Sequence, residues 1–239
     1  MRGTVAEFTY LRTHVVDLAY DDGVIFDCRE PEQRDQGLNA AQTALRAGEL
    51  AVIPTDTVYG VAADAFNPAA VRRLLTAKGR DRSMPPPVLI GAPEVLPSLV
   101  AAVPAWLKAM TDALWPGALT VVCHQQASLD WDLGDTRSTV AVRVPDDQIA
   151  RDLLGRTGPL AVSSANLSGQ PAATTVEHAR EQLGESVAVY LDGGPSRGTV
   201  ASTMLDATGP TPRILRQGAI DLAVLHEFNN TIEPESPRA

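Results

Sequence analysis

Four short polar clusters hold the residues whose types could do chemistry: "PTDTVYG" (54–60), "KGRDRS" (78–83), "SSANLSG" (163–169) and the Arg216 end of "RILRQG" (213–218). Lys78, Arg80, Arg143 and Arg216 supply positive charge, and Thr57, Ser164 and Ser202 supply hydroxyls. Arginine grips phosphate or carboxylate with a planar fork, whereas lysine offers a movable point charge suited to phosphates. Together these groups describe an anion site. Taken singly, each has a plainer account. "SSANLSG" reads equally as a Ser/Asn turn that satisfies its own backbone. "AKGR" (77–80) reads as a helix C-terminus where cations meet the dipole and Gly79 takes the left-handed position. Thr55 and Thr57 read as β-formers in a turn. Arg143 is harder to set aside, because an arginine inside the apolar run "TVAVRVP" (139–145) must find an anion or reach solvent.

The elements that must position these clusters follow from hydrophobic period. "LNAAQTALRAGE" (38–49) places Leu38, Ala41 and Leu45 on one helical face. "LAVI" (50–53) and "GVAADAF" (60–66) read as strands on either side of the "PTDTVYG" turn. "NPAAVRRLLTAKG" (67–79) reads as a helix with Asn67 as N-cap and Pro68 in the first turn, so Lys78 and Arg80 fall at its end. Further on, "PVLIG", "GALTVVCH", "STVAVRVP", "PLAVSS", "SVAVYLD", "ASTMLDA" and "PRILRQ" read as strands. "PAWLKAMTDALW", "DDQIARDLLGRTG" and "TTVEHAREQLG" read as helices, the last opened by a Thr174–Glu177 capping box. This alternation predicts an α/β fold: one domain with a mixed, twisted sheet over residues 35–222. Residues 1–34 are an N-terminal extension in which "HVVDLAY" (14–20) could add an edge strand. Residues 223–239 are a short helix and a polar tail, and "EFNNTIEPESPRA" (227–239) is expected to be disordered. Ligands in α/β sheets lie at strand ends, where the four polar clusters fall.

Composition narrows the function. The net charge of −9 argues against general nucleic-acid binding, although Lys78, Arg80 and Arg82 form a local basic island. No apolar run is long enough to span a membrane, and no secretory signal is read at the N-terminus. Cys28 and Cys123 are isolated and form no CxxC, which fits a reducing cytoplasm and no zinc site. The P-loop, the GxGxxG fingerprint, GxSxG and HExxH are all absent.

"PTDTVYG", "AKGR", "WPGALTVV", "TVAVRVP", "SSANLSG", "ASTMLD" and "PRILRQG" occur in the order seen in the YrdC family, and the chain resembles that family over about residues 35–220. Its KxR and SxN signatures are matched by Lys78, Arg80, Ser164 and Asn166. The resemblance implies a twisted sheet with helices around a concave, locally positive cavity, in a short bacterial form without a further C-terminal domain. It also implies L-threonylcarbamoyladenylate synthase activity: L-threonine, bicarbonate and ATP give threonylcarbamoyl-AMP and pyrophosphate, for the t6A modification at position 37 of tRNA. By the same resemblance Thr57, Val162, Arg143 and Ser202 would contact threonine, and Lys78, Arg80, Thr139, Ser164, Asn166 and Arg216 would face ATP. Lys78 and Arg80 would be the catalytic pair, Mg²⁺ would accompany ATP, and Asp56 and Tyr59 would brace the turn. Transfer proteins would take the product, with only a weak or transient contact to tRNA. Relatives carry a histidine in the strand after KxR; here that strand is "PPPVLIG" (85–91) and has none. Two alternatives stand beside this reading. One is an RNA-binding or ribosome-associated module with the same fold, and the other is a carbamoyl transferase related to hydrogenase maturation factors.

Overall fold

The structure is a computed structural model that describes residues 23–236. In chain order its strands and α-helices are β1 (Val24–Asp27), α1 (Pro31–Arg46), β2 (Ala51–Ile53), β3 (Gly60–Asp64), α2 (Pro68–Ala77), β4 (Val88–Leu89), α3 (Leu96–Leu99), α4 (Ala105–Leu114), β5 (Leu119–His124), β6 (Thr139–Arg143), α5 (Gln148–Thr157), β7 (Leu160–Ser164), α6 (Val176–Leu183), β8 (Val189–Asp192), β9 (Thr203–Asp206), β10 (Arg213–Arg216) and α7 (Leu222–His226). The strands form one mixed sheet in the order β1-β8-β2-β3-β7-β4-β6-β5-β9-β10.

The central strands are apolar throughout because helices cover both faces. Along β2, Ala51 and Ile53 face a cluster with Leu38, Leu45 and Leu153 from α1 and α5. Val52 faces the opposite cluster, with Leu74 of α2 and Val176 of α6. A third cluster packs α4, through Leu107 and Met110, on β5, β6 and β9.

Helix α2 shows how local sequence delivers the site. The Asn67 side chain accepts from the backbone N–H groups of Ala69 and Ala70 at 3.0 and 3.2 Å, and Pro68 opens the helix. At the other end Gly79 has φ 63°, its N–H donates to Thr76 O at 2.9 Å and the Arg80 N–H to Leu75 O at 2.8 Å. This paired closure stops the helix at Lys78 and turns the chain toward Arg80. The register does the rest. β3 runs antiparallel to β7 with Gly60 opposite Ser164, and β5 runs parallel to β9 with Leu119 opposite Thr203. The turn before β3, the loop after β7 and the start of β9 are thereby gathered.

The structure departs from the sequence expectations at four places. β1 pairs with β8, so the sheet takes in residues upstream of 35; the expected strand at 14–20 lies outside the described residues. Helix α1 begins at Pro31 rather than near 38. Its first half is mostly exposed and so carries little apolar period, and Gly37 fits there because a Cβ would lie 2.8 Å from Phe26 Cβ. The cap of α6 is Thr175, whose Oγ1 accepts the His178 N–H at 3.3 Å, one residue later than the expected Thr174. Thr174 instead gives its carbonyl to the Ser196 N–H at 2.8 Å. The tail is ordered through the described residues: Ile232 is buried, Glu233 N–H donates to Pro212 O at 2.9 Å, and Ile214 N–H donates to Glu233 O at 2.9 Å. It covers the otherwise unpaired edge of β10, which explains why a polar sequence packs there.

Candidate functional site

The "PTDTVYG" turn is built by its own side chains. Thr55 Oγ1 donates to Val58 O at 2.6 Å and accepts the N–H groups of Thr57 and Val58 at 3.2 and 3.3 Å. The fully buried Tyr59 hydroxyl donates to Gly194 O at 2.6 Å and accepts the Gly193 N–H at 3.0 Å, fixing the 192–194 turn beside it. Asp56 accepts from Arg143 Nη2 at 2.6 Å and from the Asp146 N–H at 2.9 Å. Asp56 and Tyr59 therefore brace, and Thr57 is left to face inward.

Arg143, at the end of β6, is held on three sides. Its Nε donates to Gly117 O at 2.9 Å, Nη1 to Thr57 Oγ1 at 3.0 Å and Nη2 to Asp56. The side chain is only 7% exposed, so its charge is fixed in place rather than solvated. Arg80 Nη1 donates to Ser163 Oγ at 3.1 Å, while its buried Nε has no hydrogen-bond partner among the described residues. Arg216 donates through Nε and Nη2 to Ser202 O at 3.2 and 2.9 Å, and through Nη2 to Ser202 Oγ at 3.2 Å.

These groups open onto one cavity of about 340 Å³, in the size range of small-molecule sites. Thr57, Arg80, Arg143, Val162, Ser164, Ser202 and Arg216 all line it, so most of the sequence-predicted residues converge. Among the described residues, no carboxylate stands in the wall. Burial pushes all three guanidinium groups below their ordinary values. Arg216 adds repulsion at Arg143, which Asp56 offsets; Arg80 adds it at Arg216, which Glu235 from the tail offsets. Desolvated cations that repel one another favour an anionic ligand strongly, since an anion relieves both penalties at once. Among the described residues, no cluster of three or more His, Cys, Asp or Glu side chains is placed to hold a metal.

Three expected residues are not in the cavity wall. Lys78 is fully buried, with Nζ donating to Ser164 O, to Asn166 O at 2.5 Å and toward Asn166 Oδ1 at 3.5 Å. Burial, with Arg80 nearby, lowers its ammonium to about 7. Asn166 spends its amide on Leu167 O and Gln170 O, both at 2.8 Å. Through these bonds the pair shapes the 163–170 loop. Thr139 lies at the opposite end of β6 from Arg143, about 13 Å along the strand, and its hydroxyl donates to Thr136 O at 2.7 Å.

Sequence reading passed over Thr55 and Thr120 as members of the wall. Thr120 Oγ1 lies 2.7 Å from Ser202 Oγ. A polar residue inside the apolar run "ALTVV" carried the same signal as Arg143, in a weaker chemical form.

The profile of the Sua5/YciO/YrdC family, described as telomere recombination, matches residues 43–218. The chain belongs to the Sua5/YciO/YrdC family. Its relatives include a candidate threonylcarbamoyl-AMP synthase of Mycobacterium leprae, 52% identical over 85% of this chain and 92% of the relative. The threonylcarbamoyl-AMP synthase of Bacillus subtilis is 38% identical over 80% of this chain, which spans 56% of that longer protein. The crystal structure of P. abyssi Sua5 complexed with L-threonine superposes with a TM-score of 0.84 at 32% identity, covering 89% of this chain and 62% of that one. Sua5/YciO/YrdC membership agrees with the mixed sheet and the helices on both its faces.

Proposed function

We propose that this protein is an L-threonylcarbamoyladenylate synthase, making threonylcarbamoyl-AMP and pyrophosphate from L-threonine, bicarbonate and ATP. The observation that carries this reading is the cavity itself: the buried Arg143, the half-buried Arg80 and Arg216 and several hydroxyls face one space whose wall, among the described residues, holds no carboxylate. The names of the relatives, and the threonine bound to P. abyssi Sua5, give the chemistry that such a site would serve.

The threonine amine attacks bicarbonate, water is lost, and a carbamate forms. A carbamate oxygen then attacks the α-phosphorus of ATP, and the bond to the β-phosphate oxygen breaks to release pyrophosphate. The atoms balance with no covalent enzyme intermediate, so the enzyme needs no nucleophile. What the residues supply is position and charge. Arg143, already aimed by Asp56, Thr57 and Gly117 O, holds the threonine carboxylate, with Thr57, the Val162 backbone and Ser202 around it. Arg80 and Arg216 meet the phosphates and offset the repulsion between carbamate and triphosphate. Ser164 lies at the same end, while Lys78 and Asn166 shape the loop that carries it, and Thr139 serves the nucleotide from farther along β6. Among the described residues the wall offers hydroxyls and cations but no carboxylate for a protein-held Mg²⁺, which fits an ion that arrives on the triphosphate as part of the substrate.

The product passes to transfer proteins that build t6A on tRNA in the cytoplasm, and contact with tRNA itself is weak or transient. Among the described residues no helix is long and apolar enough to cross a membrane. The test is pyrophosphate release with MgATP, adding L-threonine and bicarbonate separately and together. Release that requires both additions is the expected result. Equal release without either, or tight RNA binding with no release, would overturn the assignment in favour of an ATP hydrolase or an RNA-binding module.

A further inference from the structure

We propose that Thr120 is a positioning residue that fixes the Ser202 hydroxyl as a hydrogen-bond donor toward an anionic oxygen of the bound amino acid. The inference rests on the reading of the cavity given above. Parallel pairing of β5 with β9 sets Leu119 opposite Thr203, which brings Thr120 beside Ser202. Both side chains line the cavity, and both are nearly inaccessible, at 2% and 5% exposure. The two hydroxyl oxygens are 2.7 Å apart, so one of them donates to the other.

The direction follows from what else each can reach. Ser202 Oγ also accepts from Arg216 Nη2 at 3.2 Å. Thr120 Oγ1 has no further partner among the described residues. Were Ser202 the donor, the Thr120 proton would lose its one acceptor among the described residues, and at 2% exposure against 5% Thr120 is the less able of the two to turn it into the cavity. With Ser202 as acceptor, the more exposed of the two hydroxyls is the one that keeps a free proton, and Thr120 is fully served. Its proton goes to Ser202, both Ser202 lone pairs are filled by Thr120 and Arg216, and the Ser202 proton has only the cavity left to face. Each hydroxyl has one proton and two lone pairs, so this wiring makes Ser202 a donor and removes it as an acceptor. A carboxylate or carbamate oxygen fits such a donor, and an ammonium does not. Neighbouring Thr203 plays no part, since its hydroxyl donates to Ile220 O at 2.8 Å and accepts the N–H groups of Gly218 and Ile220 at 3.1 and 3.0 Å.

Steady-state pyrophosphate release by T120V and T120S, with KM measured separately for L-threonine and MgATP, tests the wiring. Valine keeps the shape and removes the donor, freeing Ser202 to turn. A rise of about tenfold in the KM for threonine, with the KM for ATP within about twofold, is expected, the scale of one hydrogen bond to a charged group. T120S keeps a hydroxyl and should recover most of the loss. An unchanged threonine KM in T120V, or T120S as impaired as T120V, would overturn the proposal while leaving the synthase reading intact. A parallel rise of both KM values with a lowered Tm would also overturn it, by showing a packing defect. A native protein without threonine- and bicarbonate-dependent release would overturn the synthase reading, and this proposal with it.

Discussion

Replacing Arg143 with alanine is expected to abolish threonine-dependent turnover and to lower stability by about 3–5 kcal/mol, the usual cost of breaking a buried ion pair from one side. The partner left behind is Asp56, with a side chain 11% exposed and, among the described residues, only the Asp146 N–H still bonded to it. Arg143→Lys would keep the charge but not the fork that reaches Gly117 O, Thr57 and Asp56 together, so it should rescue little of either loss. Stability and activity then separate in the double variant. Asp56→Ala with Arg143→Ala removes both charges and should be destabilised by less than the sum of the single changes, yet remain inactive. Urea midpoints of the four proteins decide the matter. Additive losses would show that the two side chains are not coupled as the geometry requires.

Lys78→Met should reduce turnover by about a hundredfold or more, in line with misplacing catalytic groups by around an ångström, because the 163–170 loop loses the amino group whose N–H donors gather its carbonyls. A pH signature accompanies this. The Lys78 ammonium titrates near 7 when folded, against an ordinary value of 10.5. Between those values the unfolded chain holds the proton and the native protein does not, so stability rises with pH. Below about 7 the buried charge burdens the native state in full. The stability difference between native protein and Lys78→Met should therefore move in favour of the native protein as pH rises from 7 toward 10. Chemical denaturation at a series of pH values checks it, and a flat difference would mean that the three oxygens around Nζ offset the burial entirely.

Much of this was legible in the sequence because it depends on local rules. The Asn67–Pro68 start and Gly79 stop of α2 are short-range chemistry, and they alone place Lys78 and Arg80. Arg143 announced itself as a charge in an apolar strand. What escaped depends on contacts far apart in the chain. Lys78 points at backbone carbonyls of residues 164 and 166, and a carbonyl acceptor has no sequence signature. The Thr120–Ser202 pair exists only through the β5–β9 register. The tail reads as polar and unstructured, yet it packs because β10 leaves an edge to cover and Ile232 reaches the core. The start of α1 was hidden by its exposed first turns and by Gly37, whose value lies in the closeness of Phe26 rather than in any helical period.

The central claim is that this cavity joins threonine, bicarbonate and the adenylate of ATP into one molecule. The most direct measurement is mass analysis of the nucleotide products after incubation with MgATP, L-threonine and ¹³C-bicarbonate, with Arg143→Ala as control. The expected product is threonylcarbamoyl-AMP carrying the single heavy carbon, formed by the native protein and missing from the variant. AMP or ADP alone, or a threonine adenylate without the heavy carbon, would contradict the account.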